Sequence, residues 1–279
     1  MSISSGNFLF YEVGDNSIAT ASSWDSLASI LSQDRALLVD FAGASTLGEW
    51  YMTTIASSQV EPAGVLALIQ KPELQAAAVT ALQSLLATCP AGFCRSRSLH
   101  DRVGFYARMF AHRKARAYIG YSETLHSALQ EVQDDCMPYE QCRTEDRIAV
   151  RALPPITPGG QLVGWVDALT IHAGLADSKA ALAREFIDFV TSWKAYQSIL
   201  NPDWPDAPCY LLPAVEVPDG APLKPVLYPA LTAAFGSRLI ATAPHLNDDL
   251  RARGKKLNCI LPPERQDPKW QKDCPGAVE

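Results

Sequence analysis

The feature that most constrains the fold is a buried strand that runs through a short turn into a helix, between Ala117 and Leu129. Residues Ala117 to Tyr121 are mostly apolar or aromatic, which is typical of a strand covered on both faces. The helix opens near Ser122, so Glu123 lies in the turn. Because ligands of open α/β sheets bind outside the carboxyl ends of strands, Glu123 is a candidate site residue. The alternative is that Glu123 only occupies the first helical turn, where acidic residues are favoured.

Strands and helices alternate along the rest of the chain. Apolar runs at Asn7 to Tyr11 and Ala36 to Phe41 predict buried strands, and Ser23 is placed to cap a helix. A further strand, Leu162 to Ile171, contains Asp167, whose charge must be paired, hydrogen-bonded or directed at a cleft. This alternation predicts an α/β fold.

The predicted organisation has three parts. We expect residues 1–160 to form mainly one α/β lobe, which carries Glu123 and its neighbours. Residues 161–260 are expected to return and complete the other lobe, and residues 261–279 to be a polar tail. No internal repeat marks a further domain.

Composition and charge exclude several classes of partner. The chain is 48% hydrophobic and 19% charged, as globular proteins are. A net charge of −6 without a long basic run argues against nucleic acid. No apolar run has the length needed to span a bilayer, and residues 1–6 do not resemble a secretory signal. Localisation is left open between secretion, if an N-terminal segment precedes this sequence, and the cytoplasm.

The seven cysteines fall into three local pairs and one remainder, Cys209. The pairs are Cys89 with Cys94, Cys136 with Cys142, and Cys259 with Cys274. Such pairs are compatible with disulfides in an oxidising compartment, and reduced buried cysteines are the alternative. Since neither a C-x-x-C motif nor a Cys/His ligand spacing occurs, no metal site is predicted.

Ser122 raises the alternative of a serine hydrolase, because it lies between a strand and a helix. The nucleophile elbow requires G-x-S-x-G, and the run from Gly120 to Thr124 lacks the second glycine. His172 and His245 follow in the chain as candidate bases. No dinucleotide-binding or phosphate-binding glycine motif occurs, so no cofactor is predicted.

Three segments, taken in order, resemble thiaminase I (thiamine pyridinylase). They are Asn7 to Asp15, Arg116 to Glu123 with its Tyr-Ser-Glu motif, and Val166-Asp167. The resemblance implies the two-lobed architecture of a type 2 periplasmic substrate-binding protein. The chain matches only the later part of a family member, so the first lobe is expected to be incomplete.

The resemblance also implies a reaction. Thiaminase I transfers the pyrimidinylmethyl group of thiamine from its thiazole to an amine or thiol, with a cysteine nucleophile, a glutamate base and no cofactor. The base corresponds to Glu123, whose motif includes Tyr121. Asp167 corresponds to an aspartate that contacts the aminopyrimidine, and Trp165 stands at an aromatic position. A thiolate suits this role because it is strongly nucleophilic near neutral pH.

The nucleophile departs from the family pattern. The family cysteine precedes the Asn-x-Leu-Phe-Tyr strand, and the corresponding position falls at about Ser5. A hydroxyl is far less acidic than a thiol, so Glu123 alone would activate it poorly. Cys209 is a remote alternative nucleophile. Two hypotheses result: a thiaminase I-like transferase, or a catalytically inactive pseudoenzyme that binds the same class of ligand.

The incomplete lobe has a consequence for association. In the family, the first-lobe segment covers apolar surface. If Met1 is the true start, we expect that surface to be exposed and the protein to self-associate. The alternative is a longer gene product with an upstream cysteine and a secretory segment.

Overall fold

A computed structural model describes residues 3–34, 36–136, 141–167, 169–200, 207–213, 217–218, 220, 225–236, 238, 246–261 and 274. At residues 3–5, 135, 167 and 199 the description is limited to the backbone. Within these ranges, no helix combines the length and hydrophobicity that crossing a bilayer requires.

The described strands form two sheets. The strands are β1 (Ile3–Ser5), β2 (Asn7–Glu12), β3 (Leu37–Val39), β4 (Ala117–Tyr121), β5 (Ile148–Ala152), β6 (Trp165–Asp167) and β7 (Leu212–Pro213). The larger sheet has the order β3-β4-β2-β5, and the smaller sheet has the order β6-β1-β7. The β3–β4 pair is parallel, and the other described pairs are antiparallel. The predicted α/β fold class is therefore confirmed.

Helices cover both faces of the larger sheet. The described helices are α1 (Asn16–Ala19), α2 (Trp24–Ser32), α3 (Ala44–Ser57), α4 (Pro62–Ile69), α5 (Ala76–Leu86), α6 (Arg97–His100), α7 (Phe105–Ala111), α8 (Thr124–Asp135), α9 (Asp177–Val190), α10 (Trp193–Leu200), α11 (Tyr228–Phe235) and α12 (Leu246–Ile260). Ser23 caps α2 as predicted, since its Oγ accepts a hydrogen bond from the Ser26 N–H at 3.1 Å.

The larger sheet is buried on both faces. Alternate residues of β2 enter different cores: Leu9 joins the core built around α2, α3 and α5, whereas Phe8 and Phe10 join the core built around α7, α8 and α11. This alternation follows from the two-residue period of a strand. It explains why the strands of this sheet consist largely of apolar and aromatic residues.

A single extended segment connects the two sheets. β1 belongs to the smaller sheet and β2 to the larger one, and Gly6 alone separates them. The Arg238 guanidinium spans this crossover, donating from Nη1 to the Val163 carbonyl at 2.9 Å and from Nη2 to the Asn7 carbonyl at 3.4 Å. Burial lowers the pKa of Arg238 to about 10, which still leaves it charged near neutral pH.

Helices α3 and α12 pack with their backbones almost in contact. A Cβ atom on Gly254 would lie 1.7 Å from the Ala44 carbonyl oxygen, and one on Gly48 would lie 2.3 Å from the Leu250 carbonyl oxygen. Residues after 160 thus contribute to the core of the larger sheet as well. The boundary at residue 160 remains a prediction, as does the polar tail, of which the structure describes Leu261 and Cys274.

One expectation about the second half of the chain changes in detail. Within the described residues, β6 covers Trp165–Asp167 of the predicted strand Leu162 to Ile171, and all three of these residues pair with β1. Apolar side chains of α9 face solvent: Leu182 is 66% exposed, Phe186 58% and Phe189 67%. Self-association through such a surface remains a prediction.

The predicted cysteine pairs are confirmed. Three disulfides join Cys89 to Cys94, Cys136 to Cys142, and Cys259 to Cys274. The first two close short loops, and the third ties the end of α12 to a residue in the tail.

Replacing Gly254 by alanine tests the close helix contact. We expect Gly254→Ala to lower the free energy of unfolding by about 2 kcal/mol, because overpacking outweighs the gain in helix propensity. Urea unfolding followed by circular dichroism measures the change. Gly64→Ala is the matched control, since its Cβ would meet only the flexible end of Gln59 at 3.0 Å. It should be neutral or stabilising, and an equal gain in Gly254→Ala would contradict the packing.

Candidate ligand-binding site

The junction of β4 and α8 presents Tyr121 and Glu123. Glu123 immediately precedes α8, and its carboxylate makes no capping hydrogen bond to the helix. Thr124 fixes the turn instead: its Oγ1 donates to the Tyr121 carbonyl at 2.5 Å and accepts from the Tyr118 hydroxyl at 2.8 Å. Glu123 thus lies at the start of the helix, as both interpretations of the sequence require, without capping it through its side chain.

Tyr121 and Glu123 line a cavity of about 440 Å³ bounded by β6, α3 and α12. The lining residues are Ser45, Glu49, Tyr121, Glu123, Trp165, Val166, Asn247, Leu250 and Arg251. The structure thus brings three of the predicted site residues, Tyr121, Glu123 and Trp165, to one cavity. Its volume lies within the range usual for small-molecule sites.

The crossover from β1 to β2 explains this convergence. Ser5 in β1 pairs directly with Trp165 in β6, and Asn7 in β2 pairs directly with Tyr121 in β4. Two cavity residues from different sheets therefore flank one short stretch of chain. The backbone of Ser5 lies beside the cavity wall, and Asp167 pairs with Ile3 at the other end of β6. The side chains of Ser5 and Asp167 lie outside the described part of the structure.

Cys209 does not line this cavity. It is half-buried before β7, near Tyr228 of α11. Burial, and then the nearby Cys209, raise the pKa of the Tyr228 phenol. The structure therefore gives no support to Cys209 as the nucleophile of the cavity.

The serine hydrolase alternative is also not supported. Ser122 is completely buried, with 0% of its surface exposed, and its Oγ donates to Glu123 Oε2 at 3.4 Å. A nucleophile that cannot reach a substrate cannot attack it. His172 lies on an exposed loop, where its Nδ1 accepts from the Gly174 N–H at 3.1 Å, and His245 lies outside the described residues.

Glu49 is a site residue that sequence reasoning missed. The Tyr121 hydroxyl donates to Glu49 Oε2. Burial raises the pKa of Glu49, the hydrogen bond from Tyr121 opposes this, and the charges of Asp40 and Glu123 raise it further. A sequence signal was present, because Glu49 is the one charged residue in an otherwise apolar and hydroxyl-bearing helix.

Tyr121 also borders a second cavity of about 210 Å³, which contains Asp40 and His100. His100 Nδ1 lies 2.7 Å from Asp40 Oδ2, and this hydrogen bond raises the pKa of His100. Both sides of Tyr121 therefore carry carboxylates. Such a site favours ligands with positive charge or hydrogen-bond donors.

Trp165 offers the complementary group. Its indole Nε1 is buried and has no hydrogen-bond partner within the described residues. A buried indole N–H usually has a partner. The orphaned donor is therefore suited to an acceptor atom of a ligand, such as a ring nitrogen.

A separate group of metal-capable side chains lies at the ends of α7 and α8. His112, Cys136 and Cys142 present ligand atoms that lie within 4.8 Å of one another. None of them lines the cavity around Glu123. Sequence spacing did not predict this cluster, because its members meet only when the two helices pack.

The architecture is that of two-lobed binding proteins. The maltose-bound MalE3 of T. maritima has a TM-score of 0.58 at 14% identity, and the alignment covers 92% of this chain and 71% of that one. No protein-family model matches the sequence, and no curated protein matches it. At this identity, the likeness shows the fold alone.

Within this class, two thiaminase I structures are similar. Thiaminase I of Clostridium botulinum, in complex with thiamin, has a TM-score of 0.71 at 20% identity, covering 93% of this chain and 72% of that one. Thiaminase I of Bacillus thiaminolyticus has a TM-score of 0.60 at 20% identity, covering 76% and 58%. The chain has the binding-protein-like fold that these enzymes share, as the resemblance implied.

Glu49→Gln tests the burial of this carboxyl group. Because the pKa of Glu49 is raised above 4.5, the folded protein keeps a proton that the unfolded chain releases. The stabilisation that this proton provides is complete below pH 4.5 and is lost as the pH rises through the pKa of Glu49 in the folded state. We expect Glu49→Gln to become progressively more stable than the wild type from pH 4.5 towards neutrality, as measured by urea unfolding.

The exposed Glu73 supplies the control for that titration. Glu73→Gln should follow the wild-type pH dependence. A constant difference between Glu49→Gln and the wild type across this pH range would contradict the raised pKa.

Proposed function

We propose that this chain is a thiaminase I-like protein that acts on thiamine or a related aminopyrimidine. In this proposal it transfers the pyrimidinylmethyl group from the thiazole to an amine or thiol. One observation carries the proposal: Tyr121, Glu123 and Trp165, chosen from the sequence, line a single cavity. The thiamin complex of the Clostridium botulinum enzyme, which has the same fold, supports a thiamine-type ligand.

The chemistry of the cavity suits thiamine. Thiamine joins a cationic thiazolium to an aminopyrimidine, which has both a donor amine and acceptor nitrogens. Glu123 supplies negative charge, Glu49 supplies a further acceptor oxygen, and Trp165 supplies an aromatic surface and a donor. A cation over an aromatic ring and an amine on a carboxylate are both favourable contacts in a partly enclosed site.

Each residue has a proposed role. Glu123 accepts the proton of the attacking nucleophile. Tyr121 holds Glu49 by a hydrogen bond and thereby fixes the α3 wall of the cavity. Asp167 is proposed to contact the aminopyrimidine, as its counterpart does in the family.

A second function is favoured by one observation: within the described residues, no cysteine lines the cavity. The family nucleophile is a thiol, and Ser5 takes its position. A protein with this cavity but without a thiol would bind the ligand and release no thiazole. This is the pseudoenzyme alternative.

Calorimetric titration and thiazole release separate the two functions. For the transferase we expect thiamine to bind and thiazole to be released when an amine or thiol acceptor is added. Glu123→Gln should then slow release by about 10²- to 10⁴-fold, the usual contribution of a general base, and leave binding largely intact. Glu61→Gln, at an exposed position that does not line the cavity, is the control. Thiamine binding without release indicates the pseudoenzyme, and no binding overturns both.

Ser5→Cys tests whether the thiol is the one missing part. Ser5 is paired with Trp165, so a thiol introduced there starts beside the cavity wall. If the site is otherwise complete, we expect Ser5→Cys to release thiazole at least tenfold faster than the wild type. Ser4→Cys carries the same thiol one residue away in the same strand and should show no gain. Equal rates in both variants would contradict the role assigned to this position.

A further inference from the structure

The ends of α7 and α8 hold a second reactive cluster, away from the proposed ligand cavity. His112 follows the last residue of α7, and Cys136 follows the last residue of α8. His112 Nδ1 lies 3.4 Å from Cys142 Sγ and 3.6 Å from Cys136 Sγ. We propose that these three side chains bind Zn²⁺ when Cys136 and Cys142 are thiols, and that oxidation to the disulfide releases the metal.

The distances fit tetrahedral ligation. Zn–N bonds of about 2.0–2.1 Å and Zn–S bonds of about 2.3 Å place a nitrogen and a sulfur ligand roughly 3.5 Å apart. Both measured N–S distances lie close to this value. One metal ion can therefore contact His112 and both sulfurs once the two sulfurs separate to the spacing of two zinc ligands.

The orientation of the His112 ring is a second, independent observation. Its Nε2 lies 3.0 Å from Glu131 Oε1, and Arg108 lies 3.7 Å from the other oxygen of Glu131. A carboxylate on the far nitrogen is the usual support of a zinc-bound histidine. With the proton on Nε2, Nδ1 directs a lone pair at two sulfurs that carry no hydrogen in the disulfide. The disulfide sulfurs cannot donate a hydrogen bond to this lone pair. A metal ion or a thiol S–H can accept it.

The donors are held in place without the disulfide. The Arg143 N–H, next to Cys142, donates to the Ala111 carbonyl at 2.8 Å, beside His112. The Arg143 side chain is 5% exposed, and its guanidinium donates to the Ala115 carbonyl at 2.9 Å and to Glu12 at 3.0 Å. Cys142 therefore stays next to His112 when the S–S bond opens.

Burial and access also suit a metal site. Cys136 is 3% exposed and Cys142 is 2% exposed, so their thiolates would be shielded from bulk water. The His112 side chain is 31% exposed. One side of the cluster thus remains open, which allows a water molecule to complete the tetrahedral coordination.

Reduction of the Cys136–Cys142 disulfide precedes metal binding in the proposed switch. A dithiol reductant gives two electrons and two protons to the Cys136–Cys142 disulfide and itself becomes a disulfide. Zn²⁺ then displaces the two thiol protons to solvent and binds two thiolates and a neutral imidazole. A small-molecule disulfide reverses the change: it takes two electrons from the two thiolates and two protons from solvent, and Zn²⁺ leaves as the cysteines join.

Co²⁺ is the spectroscopic probe for this site. The folded protein is treated with a dithiol, its thiols are counted by alkylation and mass spectrometry, and the reductant is removed before Co²⁺ is added. We expect one equivalent of Co²⁺ to give thiolate charge-transfer and tetrahedral d–d absorption. Zn²⁺ should bleach these bands, and a disulfide oxidant should abolish them.

Variants assign the bands to this cluster. Cys136→Ser, Cys142→Ser and His112→Ala should each lose the tetrahedral spectrum. Cys259→Ser, in a different disulfide, is the matched control and should keep it. Glu131→Gln should weaken Co²⁺ binding by about tenfold or more, because it removes the carboxylate that supports His112.

Three results would overturn the proposal. One is a Cys136–Cys142 disulfide that survives the dithiol in the folded protein. Another is a cobalt spectrum that persists in both Cys136→Ser and Cys142→Ser. The third is reduced, folded wild type that shows no tetrahedral bands. Circular dichroism of each variant establishes that it is folded.

Discussion

The contact between Gly48 of α3 and Gly254 of α12 is the constraint on which the ligand cavity depends. The missing side chains let two helix backbones approach to distances that any Cβ would prevent. α3 contributes Glu49 to the cavity and α12 contributes Arg251, so the spacing of the helices sets the spacing of these groups. Glycine lowers the helix propensity of both segments. The tertiary packing of the two helices offsets that loss. The same contact closes one wall of the cavity.

The crossover strand supplies the opposite wall. Because β1 and β2 form one extended segment, the pairing of Ser5 with Trp165 and of Asn7 with Tyr121 brings residues from two sheets together. Arg238 holds the crossover through backbone carbonyls rather than through a carboxylate, at least within the described residues. Hydrogen-bonded strands therefore position Trp165 and Tyr121 at the cavity.

The cavity combines carboxylates, a buried phenol and an indole N–H, and it lacks a thiol among its described lining. That combination is the basis of the proposed ligand class, and the thiol is the group on which the proposed transferase and the pseudoenzyme differ. Cysteines occur elsewhere: Cys209 lies near Tyr228 of α11, and the disulfide-bonded Cys136 and Cys142 meet His112 at the ends of α7 and α8. The sulfur chemistry of this chain is therefore spatially distinct from its proposed ligand site.

Sequence alone determined the local elements: hydrophobic periodicity identified β4 and the helix after it, and proximity along the chain identified the cysteine pairs. It also singled out Tyr121 and Glu123, because their motif is contiguous. Tertiary structure alone decided which groups surround them. Glu49 and the His112 cluster escaped prediction because helix packing joins residues that are distant in sequence. The lone charge of Glu49 in its helix was a local signal, but it did not reveal that Tyr121 is the partner. The buried Ser122 shows the same limit, because a strand–turn–helix pattern does not reveal which side chains the surrounding helices cover.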